Sequence, residues 1–72
     1  MKIIYDKKTD TLSILLLDGA VEESDEVRDG LILDYDKEGR LLALELLDAS
    51  DQVCQPQSVE FSIAATKQQV GV

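Results

Sequence analysis

The sequence predicts a mainly β, α+β domain: a small antiparallel β-meander of five to six strands with one short helix near the C-terminus. Three observations support this fold class. Leu, Ile, Val and Tyr fall in short runs that are separated by Asp, Gly and Lys clusters, as strands are separated by turns. Two Asp-Gly pairs mark reversals of the chain. The 72 residues suffice for one small domain, residues 1–72, without repeats or linkers.

The first half of the chain predicts three strands. Residues 2–6 form the first, KKTD at 7–10 is a turn, and residues 11–17 form the second. Asp18-Gly19 then predicts a hairpin that returns through 20–27 as an antiparallel edge strand. The carboxylates of this segment suit an edge that must not pair with other chains.

The second half predicts a hairpin followed by a short helix. After the Asp29-Gly30 turn, strand four covers 31–36, and DKEG reverses the chain into strand five at 40–47. One or two helical turns are expected at 48–53. Asp48 or Ser50 can cap this helix, and Pro56 stops it.

The C-terminal segment leaves an alternative open. In residues 58–63, Val59, Phe61 and Ile63 alternate with polar residues, which indicates a half-buried sixth strand. A helix that continues through Ala64 and Ala65 is the alternative for 58–65. Residues 66–72 have no period, and we expect a frayed tail there.

Composition excludes several classes of partner. The formal net charge of −8 disfavours nucleic acid and anionic membranes, because affinity for both comes from Lys and Arg. No apolar run is long enough for a membrane span, and residues 1–10 are too polar for a signal peptide. The one cysteine cannot form a disulfide within the chain, and we therefore expect a cytoplasmic protein.

Residues 34–45, DYDKEGRLLALE, have nearly the spacing of a calcium loop. Carboxylates and a glycine occupy the positions of ligands 1, 3, 5 and 12 and of the loop's central glycine. These residues are Asp34, Asp36, Glu38, Gly39 and Glu45. The segments on either side of the turn are dense in apolar residues at both odd and even positions, as buried strands are. A calcium loop of this kind needs a helix on each side. A divalent-cation site at Asp34, Asp36 and Glu38 is therefore the alternative hypothesis, and no metal or other cofactor is expected.

A β-hairpin explains the same residues without a ligand. Asp36 and Gly39 suit the first and fourth positions of a type I turn, with Gly39 at positive φ. This turn predicts a regular register in which Tyr35 pairs with Leu41. The pairs that follow are Asp34 with Leu42, Leu33 with Ala43, and Ile32 with Leu44. In this register the Asp34 and Glu45 side chains lie on opposite faces of the sheet.

Catalysis is not expected from these residues. The chain has no histidine, so serine and cysteine nucleophiles lack their usual base, and Cys54 lies near the polar residues Gln52 and Gln55. A paired-carboxylate hydrolase needs one acid with a raised pKa, whereas most acids here lie in turns or in the run at 22–29. That acidic run is interpreted as a solvated edge strand, with docking of a basic partner as the alternative.

The central hairpin is apolar on both faces, and this observation predicts a partner. In the regular register, one face carries Leu31, Leu33, Tyr35, Leu41 and Ala43, which we take as interface candidates. Leu42 and Leu44 lie on the opposite face. A chain of this size has too few residues to cover both faces. A symmetric homodimer that buries one of them is the expected completion.

Two stretches carry a family resemblance, YDKKTDTLSILL (5–16) and VEESDEVRDGLILDYDKEGRLLALELLDAS (21–50). Together they resemble the domain of unknown function 2283 family of short, mostly bacterial proteins. The most specific part is GLILDYDKEGRLLALELLDAS (30–50). The resemblance implies a small sheet with a terminal helix and supplies no catalytic residues. Since such genes sometimes neighbour small toxin-like genes, it also implies an antitoxin-like or accessory role. The sequence from Gln52 onward departs from the family pattern.

The leading functional hypothesis is therefore a non-catalytic protein–protein interaction module, most simply a homodimer that engages another protein. A carboxylate-based divalent-cation binder is the second hypothesis. An enzyme of another type is the third.

Overall fold

Five antiparallel strands form one sheet in the computed structural model, which describes residues 1–65 of the chain. The strands are β1 (Lys2–Asp6), β2 (Thr11–Leu15), β3 (Glu23–Arg28), β4 (Leu31–Tyr35) and β5 (Leu41–Leu46), and the short helix α1 is Ala49–Gln52. This confirms the predicted fold class. The expected frayed tail at 66–72 lies outside the described residues.

The strand order is β1-β2-β5-β4-β3, so a β1–β2 hairpin pairs through β2 with a β3–β4–β5 meander. The hairpin predicted at Asp18-Gly19 is therefore wrong, because β3 pairs with β4 at the far edge. Instead, residues 16–22 cross the end of the sheet. The Leu16 N–H donates to the Leu42 carbonyl at 2.7 Å, and the Glu22 N–H donates to the Tyr35 carbonyl at 2.8 Å.

Gly19 allows this connection to lie close to β5. A Cβ at this position would come within 3.1 Å of Leu42 Cδ2, and Leu42 is only 3% exposed. The glycine thus serves a close approach between a loop and a buried side chain, rather than the tight turn that Asp-Gly predicts.

The β4–β5 turn forms as predicted. The Gly39 N–H donates to the Asp36 carbonyl at 3.0 Å, the Asp36 N–H donates to the Arg40 carbonyl at 3.0 Å, and Gly39 has φ +84°. Tyr35 pairs with Leu41, as expected. The β4–β5 hairpin thus begins with the predicted geometry.

Beyond that first pair the predicted register is wrong, because β5 contains a β-bulge at Leu42. Asp34 pairs with Ala43, Leu33 with Leu44, and Ile32 with Glu45. Leu42 is the extra residue that a bulge inserts. A shift of one residue moves every following side chain to the other face of the sheet.

The observed register gives the sheet two different faces. One face, which we call the leucine face, is apolar across β1, β2, β4 and β5 and carries the charged residues Glu23, Asp25 and Arg28 at its β3 edge. Its ten apolar members are Ile3, Tyr5, Leu12, Ile14, Leu31, Leu33, Tyr35, Leu41, Leu44 and Leu46. The other face, which we call the carboxyl face, mixes acids and hydroxyls with apolar residues. Its members are Ile4, Ser13, Leu15, Ser24, Ile32, Asp34, Ala43 and Glu45.

Helix α1 is attached by a residue that is distant in sequence. Asp48 is the N-cap, but it has φ 52° and its side chain makes no capping bond. Asp10, from the β1–β2 turn, takes that role: its carboxylate accepts from the Ser50 N–H at 3.1 Å and from the Ser50 hydroxyl at 2.6 Å. Its carbonyl accepts from the Ala49 N–H at 2.8 Å. Ala49 is fully buried as a result.

After α1 the chain passes Pro56, which is buried, and then makes no ladder with the sheet. Residues 58–65 are neither the predicted strand nor the alternative helix. Val59, Phe61 and Ile63 are 57%, 74% and 84% exposed. Propensity alone does not form a strand, and residues 58–65 pair with neither edge strand of the sheet in their own chain.

Candidate functional site

The leucine face is the largest apolar surface of the sheet and holds most of the predicted interface candidates. Leu31, Leu33, Tyr35 and Leu41 share it, whereas the bulge places Ala43 on the carboxyl face. Leu44, expected on the face opposite Leu33, lies directly beside it. The prediction that these candidates share one face is thus wrong for Ala43. Their role as an interface stays a prediction.

Little of the leucine face is covered by its own chain. Of its ten side chains only Leu12 is buried, and Val53 to Glu60 line a shallow cavity beside it. The other nine are half-buried or exposed, with Ile3 at 40%. Its central row, Ile3, Ile14, Leu44 and Leu33, contains no charged group. This surface has the composition of the centre of an interface.

The carboxyl face contains a pair of acids that the predicted register had separated. Asp34 is 8% exposed and accepts a 2.6 Å hydrogen bond from the Ser24 hydroxyl. Glu45 is its diagonal neighbour across β4 and β5. The pKa of the Glu45 carboxyl is raised, first by its hydrogen bond with Asp34, then by partial burial and by the charge of Asp34. The Glu45 carboxyl therefore keeps its proton to a higher pH than an isolated glutamate does.

This pair lies beside an open hollow of about 370 Å³. Leu15, Leu17 and Val21 line it on the side of β2 and of the connection after it, and Leu42 and Ala43 line it from β5. Asp34 and Glu45 contribute its acidic groups. Asp34 accepts from Ser24 on β3 and hydrogen-bonds with Glu45 on β5, so these side chains link three neighbouring strands.

The β4–β5 turn uses the carboxylates of the calcium-like spacing for its own structure. Asp36 accepts from the Glu38 N–H at 3.0 Å, the Arg40 N–H at 2.8 Å and Arg40 Nε at 2.7 Å. These bonds, the Arg40 backbone bond foremost, lower the Asp36 pKa. Glu38 lies 3.6 Å from the same guanidinium. Asp34 is on the sheet face with Glu45, so the three proposed ligands do not converge. Within residues 1–65, no His, Cys, Asp or Glu cluster has a metal-binding arrangement.

The remaining candidates lie apart from both faces. The acidic run covers β3, at one edge of the sheet, and every residue of β3 is exposed. Cys54 is an exposed free thiol after α1. In the part of the chain that the structure describes, no helix has the length and hydropathy needed to cross a membrane.

Sequence reasoning missed two sets of residues. The Asp34–Glu45 pair was missed because a regular hairpin register places the two acids on opposite faces, and no sequence signal marks the bulge at Leu42. The capping residue Asp10 was missed because it lies 40 residues from Ser50. A hint for Asp10 is its Asp-Thr position just before a strand, but such pairs are common at turns.

The comparisons with known proteins agree with the sheet and with the residues that form it. The model of a family described as "Protein of unknown function (DUF2283)" matches residues 2–50, which include all five strands. No curated protein and no solved structure matches the chain significantly. Since the match covers more than half of the 72 residues, the chain belongs to the DUF2283 family of proteins of unknown function.

Proposed function

We propose that this protein is a non-catalytic protein–protein interaction module that acts as a homodimer, with the leucine face as the contact between subunits. One observation carries the proposal: nine of the ten apolar side chains of this face are left uncovered or half-covered by their own chain. Contiguous apolar patches of more than a few hundred Å² are rare on monomeric proteins and usually mark contacts.

The buried core of the single chain is too small to stabilise the fold without burial of the leucine face. Among residues 1–65, the buried apolar side chains are Leu12, Leu42, Ala49 and Pro56. Burial of apolar surface contributes roughly 25 cal/mol per Å². A second copy that covers the leucine face would therefore supply much of the stabilisation that a 72-residue chain lacks.

A second copy also fits the chemistry of the face. A two-fold interface must be self-complementary, and an uncharged apolar row meets its own copy without repulsion. The acids of β3 lie at one edge, where solvent still reaches them. The antitoxin-like or accessory role implied by the family resemblance stays a prediction, which capture of partners from the native cytoplasm would test.

Light scattering coupled to size-exclusion chromatography tests the dimer. The expected mass at micromolar concentration is twice the 8.0 kDa of the chain. Leu33→Asp, on the leucine face, should shift this mass to that of one chain or unfold the protein. Leu15→Asp is the matched control, because Leu15 lies on the carboxyl face opposite Lys2 and should retain the dimer.

A second measurement covers the case in which Leu33→Asp does not fold. The melting temperature of the unmodified protein should rise with protein concentration, as it does when association is coupled to folding. A wild-type mass of 8.0 kDa together with a concentration-independent melting temperature would contradict the proposal.

A further inference from the structure

We propose that residues 58–63 of one subunit, which we call the C-terminal arm, add as a sixth strand to the free edge of β1 in a second copy. This inference rests on the proposed homodimer and assigns the partner's contribution to it. The sixth strand that the sequence predicts is then formed between chains rather than within one.

The arm has the properties of a strand without a neighbour. Val59, Phe61 and Ile63 alternate with Ser58, Glu60 and Ser62, so an extended arm presents its apolar side chains on one side. All three apolar side chains are more than half exposed. The buried Pro56 holds the start of the arm beside Leu12, close to β1 and β2.

The two edges of the sheet differ in their readiness to accept a strand. β3 is interrupted by a bulge between Glu26 and Arg28, and its six residues are rich in charge. Bulges and charges are the devices that protect sheet edges from pairing. β1 has neither in its centre: its register with β2 is regular, and Ile3 and Ile4 are 40% and 42% exposed. The free edge of β1 is therefore the one open to strand addition.

Charge complementarity selects the same edge. The arm carries one charge, that of Glu60. Strand β1 and its turn carry Lys2, Lys7 and Lys8 against Asp6 and Asp10, a net charge of +1, whereas β3 carries Glu23, Asp25 and Glu26 against Arg28, a net charge of −2. An acidic arm is attracted to the first edge and repelled by the second. With Val59, Phe61 and Ile63 on the leucine face, beside Ile3 and Tyr5, the arm would place Glu60 on the same face as Lys2.

The size of the interface also calls for a second contribution. A standard stable interface uses roughly 20–30 residues on each side. The leucine face offers ten side chains. With the six residues of the arm and the three residues of β1 that are not already on this face, the contact surface reaches 19 residues, close to that range. They extend the leucine face rather than forming a separate site.

Disulfide trapping between single-cysteine chains tests the contact. In a Cys54→Ser background, Ile4→Cys labels the β1 edge in one chain, and Ser62→Cys labels the arm in an isotope-labelled second chain. Val27→Cys, on β3, is the control, since Val27 is 47% exposed and Ile4 42%. The two chains are mixed under mild oxidation. Mass spectrometry then distinguishes mixed disulfides, which join an edge cysteine to an arm cysteine, from disulfides between two identical chains. Each chain has one thiol, so every disulfide must join two chains.

We expect the arm cysteine to form several-fold more mixed disulfide with Ile4→Cys than with Val27→Cys. Equal yields with both edges, or no mixed product, would overturn the inference. Light scattering on the same reduced variants separates this failure from that of the homodimer. A dimeric mass without trapping rejects only the arm contact, whereas a mass of one chain rejects the dimer as well.

The variant Phe61→Ser gives an independent result without cysteines. Phe61 is 74% exposed in the single chain, so a purely monomeric protein should lose no stability on this substitution. The inference requires a lower melting temperature and a shift of the dimer–monomer midpoint to higher protein concentration. No shift would contradict it.

Discussion

The leucine face and the carboxyl face are made by the same strands, yet they differ in almost every chemical respect. The leucine face has an uncharged central row and is open, whereas the carboxyl face holds a hydrogen-bonded acid pair and is partly covered by residues 16–22. The difference depends on one inserted residue, Leu42. Without that bulge, Leu44 would lie beside Ile32 and Ala43 beside Leu33, and the sheet would have two mixed faces.

This comparison shows how one inserted residue gives the two faces of a small sheet different compositions. The connection after β2 packs on Leu42 and covers part of the carboxyl face, which keeps an open hollow beside the acid pair. The opposite face keeps its apolar row free for a second chain. The predictions below test this division, beginning with the substitution of largest expected effect.

Leu42→Ala should destabilise the protein by about 2–5 kcal/mol, because it removes a buried leucine side chain and leaves a cavity under Gly19. Urea unfolding at a fixed protein concentration measures the loss. Leu15→Ala is the control on the same face: Leu15 is 38% exposed, so it should cost clearly less. A similar loss for both variants would mean that Leu42 is not the anchor of the carboxyl face.

Gly39→Val should cost about 1–3 kcal/mol, because a β-branched residue resists the positive φ of this position. No atom lies within 4 Å of an added Cβ, so the cost comes from the backbone alone. Lys37→Val, in the same turn and exposed, should change the unfolding free energy by no more than about 0.5 kcal/mol. If Gly39→Val matched this control, the turn that starts the β4–β5 register would have a different backbone geometry.

The β4–β5 turn was predicted from the sequence, whereas the different composition of the two faces was not. Local signals predicted the β4–β5 turn, because Asp36 and Gly39 specify its geometry within four residues. The acidic strand was predicted at 20–27 from the Asp18-Gly19 hairpin signal, which is wrong, whereas the edge position suggested by its charges agrees with the place of β3 in the sheet. The existence of all five strands followed from short apolar runs and turn residues.

The missed features depend on contacts between distant residues. The bulge arises where Leu42 meets the connection at Gly19, and the strand order places β5 beside β2 rather than β3 beside β2. Neither has a signal within a short window of sequence. The prediction of a sixth strand was wrong for a complementary reason: the alternation at 58–63 is present, but the segment pairs with no strand of its own chain.

The smallest expected effect concerns the acid pair, and it has a defined sign. The pKa of Glu45 is raised in the folded protein, so between its ordinary value and the raised value the folded state keeps a proton that the unfolded state loses. This contribution to stability is fully present below the ordinary pKa and is lost as the pH rises through the raised one. Asp36 and Asp10, whose pKa values are lowered, act in the opposite direction and lose stability as the pH falls.

Glu45→Gln separates these trends, because it removes only the Glu45 titration and retains a group that can donate to Asp34. Unfolding by urea from about pH 4 to about pH 8 should show the wild type losing stability relative to the variant as the pH rises. The effect should be smaller than that of Gly39→Val, since Glu45 is partly solvated. The dimer mass should not change with either variant or pH, because the pair lies on the face away from the proposed contact. A constant difference between the two proteins across this range would show that folding does not raise the Glu45 pKa, and a pH-dependent mass would place the acids at the subunit contact instead.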